Sequence, residues 1–198
     1  MLELTVALVL FLFPLAYSPG PGNMFFAAIG GRFGVRASVP ASAGYHLATF
    51  VVTVAVGVGF AAVARVSSEV FEIMRYLGSA YVFWLAATFL RAGATADDRT
   101  ARRATMVDGA VLLLLNPKAY LIIALMFTQF LPVDATSRVG LVLWITTVFT
   151  LNNLVAFTVW TIAGDLLTRR FRNERSARPL NIASGLMLAA VALWILLR

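Results

Sequence analysis

Six apolar runs take up most of this chain: Leu4–Gly31, Ala41–Ala64, Phe71–Leu90, Val107–Leu131, Val139–Leu167 and Leu180–Leu197. Each is close to or longer than the roughly 20 residues that carry a helix across the hydrocarbon core of a bilayer. Backbone inside lipid must satisfy its own hydrogen bonds, so runs of this length and continuity predict helices. The sequence thus predicts an all-α integral membrane protein of six transmembrane helices. With 13% charged residues and 61% hydrophobic ones, the chain carries about half the charge of a soluble domain. Nothing of domain size lies outside the runs, which predicts a single transmembrane domain over residues 1–198.

The formal charge of +7 raises nucleic acid as a partner, but the arginines lie between the apolar runs and read as a topology signal. The loops after runs one, three and five hold eleven arginines against four on the opposite side. Positive loops stay in the cytoplasm, so a multi-pass inner-membrane protein with both termini outside is expected. Trp144, Trp160, Tyr45 and Tyr76 lie near run ends and read as interfacial aromatics. Ala16-Tyr17-Ser18 has the small-residue character of a signal-peptide cleavage site. Glu3, the lack of early Lys or Arg, and Pro19 directly after it favour a retained span.

Two of the six runs are broken, and at matching places. Run one is interrupted by Ser18-Pro19-Gly20-Pro21-Gly22-Asn23, and run four by Asn116-Pro117-Lys118. Pro19 and Pro117 are 98 residues apart in a chain of 198. Six spans split three and three force the second half to run inverted, a common plan among secondary transporters, whose binding sites lie at such interrupted helices. The expected division is repeat one at about 1–93, a cytoplasmic linker at about 94–104, and repeat two at about 105–198. Proline lacks an N–H and clashes with the carbonyl four residues back. Pro19, Pro21 and Pro117 should therefore free the carbonyls of Leu15, Tyr17 and Leu113. Ser18 and Asn116 are good N-cap types with proline next to them, so each break can start a half-helix whose N-terminus attracts anions.

Lys118, the only lysine in the chain, falls in the second break. By helical rise it sits about 16–20 Å from either end of its run, too deep to snorkel out. An ionisable group at that depth marks a functional site. The runs carry no mid-depth Asp or Glu, so a substrate carboxylate suits the ammonium. Asn23 follows the first break. Asn152 and Asn153 lie mid-way along run five, on faces about 100° apart, so at most one of them faces a given cavity. The candidate substrate-binding set is Ser18, Pro19, Gly20, Pro21, Asn23, Asn116, Pro117, Lys118, Asn152 and Asn153. Lys118 and His46, the only histidine, are the candidates for proton coupling.

Zero cysteines exclude disulfides and thiolate metal sites. No intramembrane carboxylate cluster or histidine pair suits a divalent metal. No nucleophile–base pair is placed for hydrolysis, and no phosphate-binding glycine loop is present. The sequence therefore predicts no enzyme, no cofactor and no metal, with the bilayer and a small solute as partners. Self-association into a homo-oligomer is left open.

The chain resembles the LysE/RhtB amino-acid exporter family along essentially its whole length. The resemblance rests on Ser18-Pro19-Gly20-Pro21, the Gly30-Gly31-Arg32-Phe33-Gly34 stretch read as a short loop, Leu77-Gly78-Ser79-Ala80-Tyr81, Leu115-Asn116-Pro117-Lys118-Ala119 and Ile182-Ala183-Ser184-Gly185. It implies export of amino acids or related small metabolites, driven by an ion gradient. The family pattern places Asp or Asn directly after Pro-Gly-Pro. Here that position is Gly22, with Asn23 one later, which argues against a basic amino acid as substrate. The alternatives are an inorganic or metal ion exporter of the same superfamily and a non-transporting membrane protein.

Overall fold

The computed structural model describes residues 2–59, 103–131 and 138–169, together with single positions at 76, 80, 83, 84, 87, 182, 186, 189, 190 and 193. Six helices cover these segments: α1 (Leu2–Tyr17), α2 (Pro21–Phe33), α3 (Val35–Val58), α4 (Met106–Leu114), α5 (Pro117–Phe130) and α6 (Arg138–Arg169). There is no strand among the described residues. Apart from those single positions, the expected runs Phe71–Leu90 and Leu180–Leu197 fall outside the described residues, as does most of the 94–104 linker.

Run one is the pair α1 and α2, bent by 65° at its break, and run four is the pair α4 and α5, bent by 63°. α3 and α6 are long and apolar enough to cross a membrane unaided, and the bent pairs bring that number to four if each is one span. Outward faces are apolar as well, with Leu10, Val51, Leu121, Leu151 and Val155 all more than half exposed. That suits lipid rather than water as the surrounding solvent. α3 begins six residues ahead of the expected Ala41, directly after Gly34, whose positive φ of 81° turns the chain sharply at a position that only glycine occupies without strain.

α2 is the centre of the molecule. Every residue from Pro21 to Gly31 is buried, so this half-helix touches protein on all sides. Gly30 and Gly31 are helical and not in a loop. A Cβ on Gly30 would run into the Thr161 carbonyl of α6, and one on Gly164 into the Ala27 carbonyl of α2. The α3–α4 crossing repeats the device, with Gly44 against the Met106 carbonyl and Gly109 against the Ala41 carbonyl. Small residues let helix backbones approach in this way. α4 starts with a capping box, in which the Thr105 N–H donates to Asp108 Oδ2 at 2.7 Å and the Asp108 N–H donates back to Thr105 Oγ1 at 3.4 Å.

Two apolar clusters form the core. One gathers α2 residues with Tyr45, Leu112, Leu113, Ala156 and Phe157. The other gathers Leu8, Leu12, Ile122, Ile123, Met126, Phe127, Val142, Ile145 and Phe149. The helix breaks lie where the two meet.

Candidate functional site

The first break is longer than expected at its far end. The α2 half-helix starts at Pro21 with Gly20 as its N-cap, not at Pro19 with Ser18 as cap. The cause is Pro21: a residue before proline is driven out of the helical region, and Gly20 is fully extended at φ −170°, ψ 175°. Ser18, Pro19 and Gly20 thus form a non-helical strip. In the second break Asn116 is the N-cap and Pro117 the first residue of α5, as expected, although the Asn116 side chain makes no cap hydrogen bond.

Each carbonyl at the end of α1 has a donor. Pro14 O accepts from the Ser18 N–H at 3.2 Å. Leu15 O accepts from Ser18 Oγ at 3.1 Å, Ala16 O from Asn23 Nδ2 at 2.9 Å, and Tyr17 O from Trp160 Nε1 at 3.2 Å. Lys118 Nζ donates to Ser18 O at 2.7 Å, to Ser18 Oγ at 3.0 Å and, at longer range, to Pro19 O at 3.5 Å. Gly20 O accepts from the Met24 N–H at 2.9 Å. At the second break Leu113 O accepts from the Asn116 N–H at 2.9 Å and Leu114 O from Tyr120 Oη at 3.3 Å. The three carbonyls expected to be freed thus all find donors within the protein, Leu15 O from Ser18 Oγ, Tyr17 O from Trp160 and Leu113 O from the Asn116 N–H, because buried backbone acceptors are costly to leave unmet.

Lys118 reaches the other break because side chains on a helix lean towards its N-terminus. From the second position of α5 its stem points back across the α4–α5 break and over Gly20. A Cβ on Gly20 would lie 2.9 Å from Lys118 Cδ, so the missing side chain makes room for the lysine.

Beside this contact is a cavity of about 20 Å³ lined by polar groups from Asn23, Tyr45, Asn116, Lys118 and Asn153 and by the apolar walls of Ile122, Phe149 and Phe157. That volume suits a water molecule and is far below the ~300 Å³ at which ligand pockets begin. Seating a solute the size of an amino acid requires the surrounding helices to move. Asn116 Nδ2 donates to Tyr45 Oη at 3.2 Å, and the Asn153 amide lies beside the same hydroxyl. Asn116 Oδ1 is buried with no hydrogen-bond partner among the described residues. This acceptor beside the cavity is available to a ligand's donor.

The structure therefore brings Ser18, Pro19, Gly20, Asn23, Asn116, Lys118 and Asn153 together, with Pro21 and Pro117 as the first residues of the half-helices. Asn152 does not line the cavity, which fits neighbouring positions on one helix pointing apart. His46 does not line it either; its ring meets those of Tyr45 and Phe157 edge to face. One aromatic read as interfacial belongs to the interior: Tyr45 is 1% exposed and is the hub of the amides. Trp160, half-buried, spans to the first break. Phe149 and Phe157 went unread, though their spacing of four on either side of Asn153 puts all three on one helical face. A Cβ on Gly22 would meet Phe157 Cζ at 2.6 Å, so the Asp or Asn of the family pattern has no room there.

Known proteins of similar sequence are transporters by name. The chain is 28% identical over 181 residues to the leucine efflux protein of Enterobacter sp. (strain 638), covering 88% of this chain and 86% of that one. It is 28% identical over 177 residues to the homoserine/homoserine lactone efflux protein of Salmonella typhimurium, covering 86% and 85%. The leucine efflux protein of Klebsiella pneumoniae is 31% identical over 123 residues, 59% of this chain and 58% of that one. No solved structure matches the chain. Residues 13–198, which include both breaks and the lysine that bridges them, match the LysE type translocator pattern, and the chain belongs to that family of multi-pass inner-membrane proteins.

Proposed function

We propose that this chain exports amino acids, or small metabolites of the same zwitterionic kind, from the cytoplasm by alternating access driven by an ion gradient. The observation that carries the reading is the contact of Lys118 with Ser18, which joins the two helix breaks at one polar point beside a cavity. Efflux of leucine and of homoserine by the similar proteins supports the substrate class.

The chemistry of that contact favours a zwitterion. Lys118 Nζ and Ser18 O satisfy one another. A lone anion that drew the ammonium away would leave the Ser18 and Pro19 carbonyls without a donor, and a lone cation would leave Lys118 without an acceptor. An amino acid brings both groups a few ångströms apart. Its carboxylate takes Lys118 at the start of α5, where the helix N-terminus adds favourable partial charge. Its ammonium takes over the Ser18 carbonyl and the Asn116 amide oxygen. The exchange keeps Lys118 and the Ser18 carbonyl partnered, gives the Asn116 amide oxygen a donor and releases the link between the breaks, so binding is coupled to movement of the half-helices. Asn23, Asn153 and Tyr45 complete the polar wall, and Phe149, Phe157 and Ile122 receive an apolar side chain. In this reading the two bent pairs are equivalent elements of inverted repeats over about 1–93 and 105–198, and both termini face outward.

Inverted membrane vesicles test the proposal, since they accumulate what the cell exports. Vesicles with the protein should take up a labelled amino acid from a mixture of the twenty, and vesicles carrying Lys118→Met should not. No uptake above control membranes for any of them would overturn it. A growth panel with single amino acids supplied as dipeptides would then name the substrate.

A further inference from the structure

A helical threonine ordinarily turns its hydroxyl to the carbonyl four residues back. Six threonines here do so: Thr49, Thr128, Thr147, Thr158, Thr161 and Thr168. Three do not, and they share a location. The hydroxyls of Thr53 on α3 and of Thr146 and Thr150 on α6 are buried with no hydrogen-bond partner among the described residues.

Three anchors fix how α3 lies on α6. A Cβ on Gly57 would sit 2.6 Å from Val142 Cγ1, the His46 ring is 5.6 Å from the Phe157 ring, and a Cβ on Gly34 would sit 4.0 Å from Asp165 Oδ1. The helices therefore run antiparallel, and their register brings Thr53 level with Thr146 and Thr150, and His46 level with Asn153. The seam from Gly34 to Gly57 is about 35 Å long by helical rise, enough to cross the hydrocarbon core.

His46 stands part-way along this seam, 7% exposed. Its Nδ1 is 2.7 Å from the Ser42 carbonyl oxygen. A carbonyl only accepts, so Nδ1 carries the hydrogen and Nε2 the lone pair. That Nε2 is also buried and makes no hydrogen bond of good geometry among the described residues, with the Asn153 backbone beside the ring. A row of buried hydroxyls ending at such an imidazole is a row of groups that native proteins satisfy with ordered water.

We propose that water threads the α3–α6 seam and carries protons to and from the transport site, with His46 Nε2 as the group that takes up and releases each proton. The idea rests on the exporter reading and supplies its drive. A proton from water at the Gly57–Val142 end passes along the hydroxyls of Thr53, Thr146 and Thr150, each of which donates and accepts. It adds to the Nε2 lone pair to give an imidazolium, while Nδ1–H stays on Ser42. It leaves to water when the site faces the other side, so protons balance and no electrons move. The imidazolium is felt at the cavity through Tyr45 and Phe157, whose rings touch it. Tyr45 is the ionisable group in ring contact. Arg32 on α2, Asp108 on α4, Lys118 on α5 and Asp165 on α6 are ionisable groups on the helices packed around α3.

The test uses purified full-length protein in liposomes with a labelled mixture of the twenty amino acids. Two modes are read: exchange of labelled for unlabelled substrate without a gradient, and accumulation driven by a pH gradient. His46→Gln and the double variant Thr53→Val, Thr150→Val should keep exchange within about two-fold of wild type and lose accumulation about ten-fold or more. The double variant guards against misfolding, because neither hydroxyl bonds to protein among the described residues and replacing them by methyls should leave melting in detergent close to wild type. Undiminished accumulation in both variants, or exchange falling in step with accumulation, would overturn the proton path. A wild type that exchanges but does not respond to a pH gradient would overturn it while leaving the exporter reading intact. A wild type that exchanges nothing would overturn both.

Discussion

Lys118 Nζ lies 2.7 Å from the carbonyl oxygen of Ser18, 100 residues away in the chain. This single hydrogen bond joins the break in one bent helix pair to the break in the other. It also accounts for a half-buried cation that has no carboxylate among the groups around its cavity. A backbone carbonyl, not a side-chain anion, is its partner, which leaves the charge uncompensated and attractive to a substrate carboxylate.

Lys118→Met should remove export while the protein still inserts and purifies. Losing a hydrogen bond made by a charged group costs roughly 1.5–3 kcal/mol, which corresponds to a fall in transport of at least ~10-fold. Uptake into inverted vesicles, normalised to protein level, is the measurement. Near-normal uptake would contradict the binding role.

Gly20→Ala separates the position of the ammonium from its presence. The extended backbone of Gly20 accepts any residue, so the substitution carries no conformational strain. The new Cβ would lie 2.9 Å from Lys118 Cδ and 3.0 Å from Nζ, and the flexible lysine must give way. Folding should be preserved and transport reduced several-fold, seen as wild-type melting in detergent with lowered uptake. Unchanged transport would mean that the Lys118–Ser18 geometry is not used.

Both breaks, the half-helix starting at Pro117 and the placement of Lys118 within its run were legible in the sequence because proline and an isolated lysine act locally. The donor to the freed Tyr17 carbonyl was not, nor was the partner of the Ser18 carbonyl, since Trp160 and Lys118 come from far along the chain. The start of α2 was misjudged because Pro19 and Pro21 compete, and only the second one, acting on Gly20, sets the boundary. Tyr45 was misplaced for a different reason. An amphipathic aromatic near the end of an apolar run suits a headgroup belt or a buried polar contact equally well, and α3 begins early enough to carry Tyr45 inside.

Gly109→Ala and Gly44→Ala should damage folding, not transport chemistry. Each new methyl would strike a backbone atom of the opposite helix, the Ala41 carbonyl for Gly109 and the Met106 carbonyl for Gly44. Backbone cannot step aside as a side chain can, and overpacking of this kind costs roughly 1–3 kcal/mol. Lower yield and a lower melting temperature in detergent are expected for both. Gly59→Ala is the control: its new Cβ would lie 3.2 Å from the Ala55 carbonyl of its own helix, and its stability should stay close to wild type.

The adjacent asparagines of α6 should behave differently. Asn153 lines the cavity and sits beside Tyr45 Oη, so Asn153→Ala removes a polar group from the site and should weaken substrate binding by about 1 kcal/mol, or ~5-fold. Asn152 points away, and its Nδ2 is buried with no hydrogen-bond partner among the described residues. Removing a group already unsatisfied should leave stability unchanged or slightly improved, with transport near wild type. Concentration dependence of uptake for the two variants decides the matter. A higher half-saturation concentration should appear in Asn153→Ala alone, and the reverse pattern would mean that the α6 face turned to the substrate during transport is not the one that lines the cavity here.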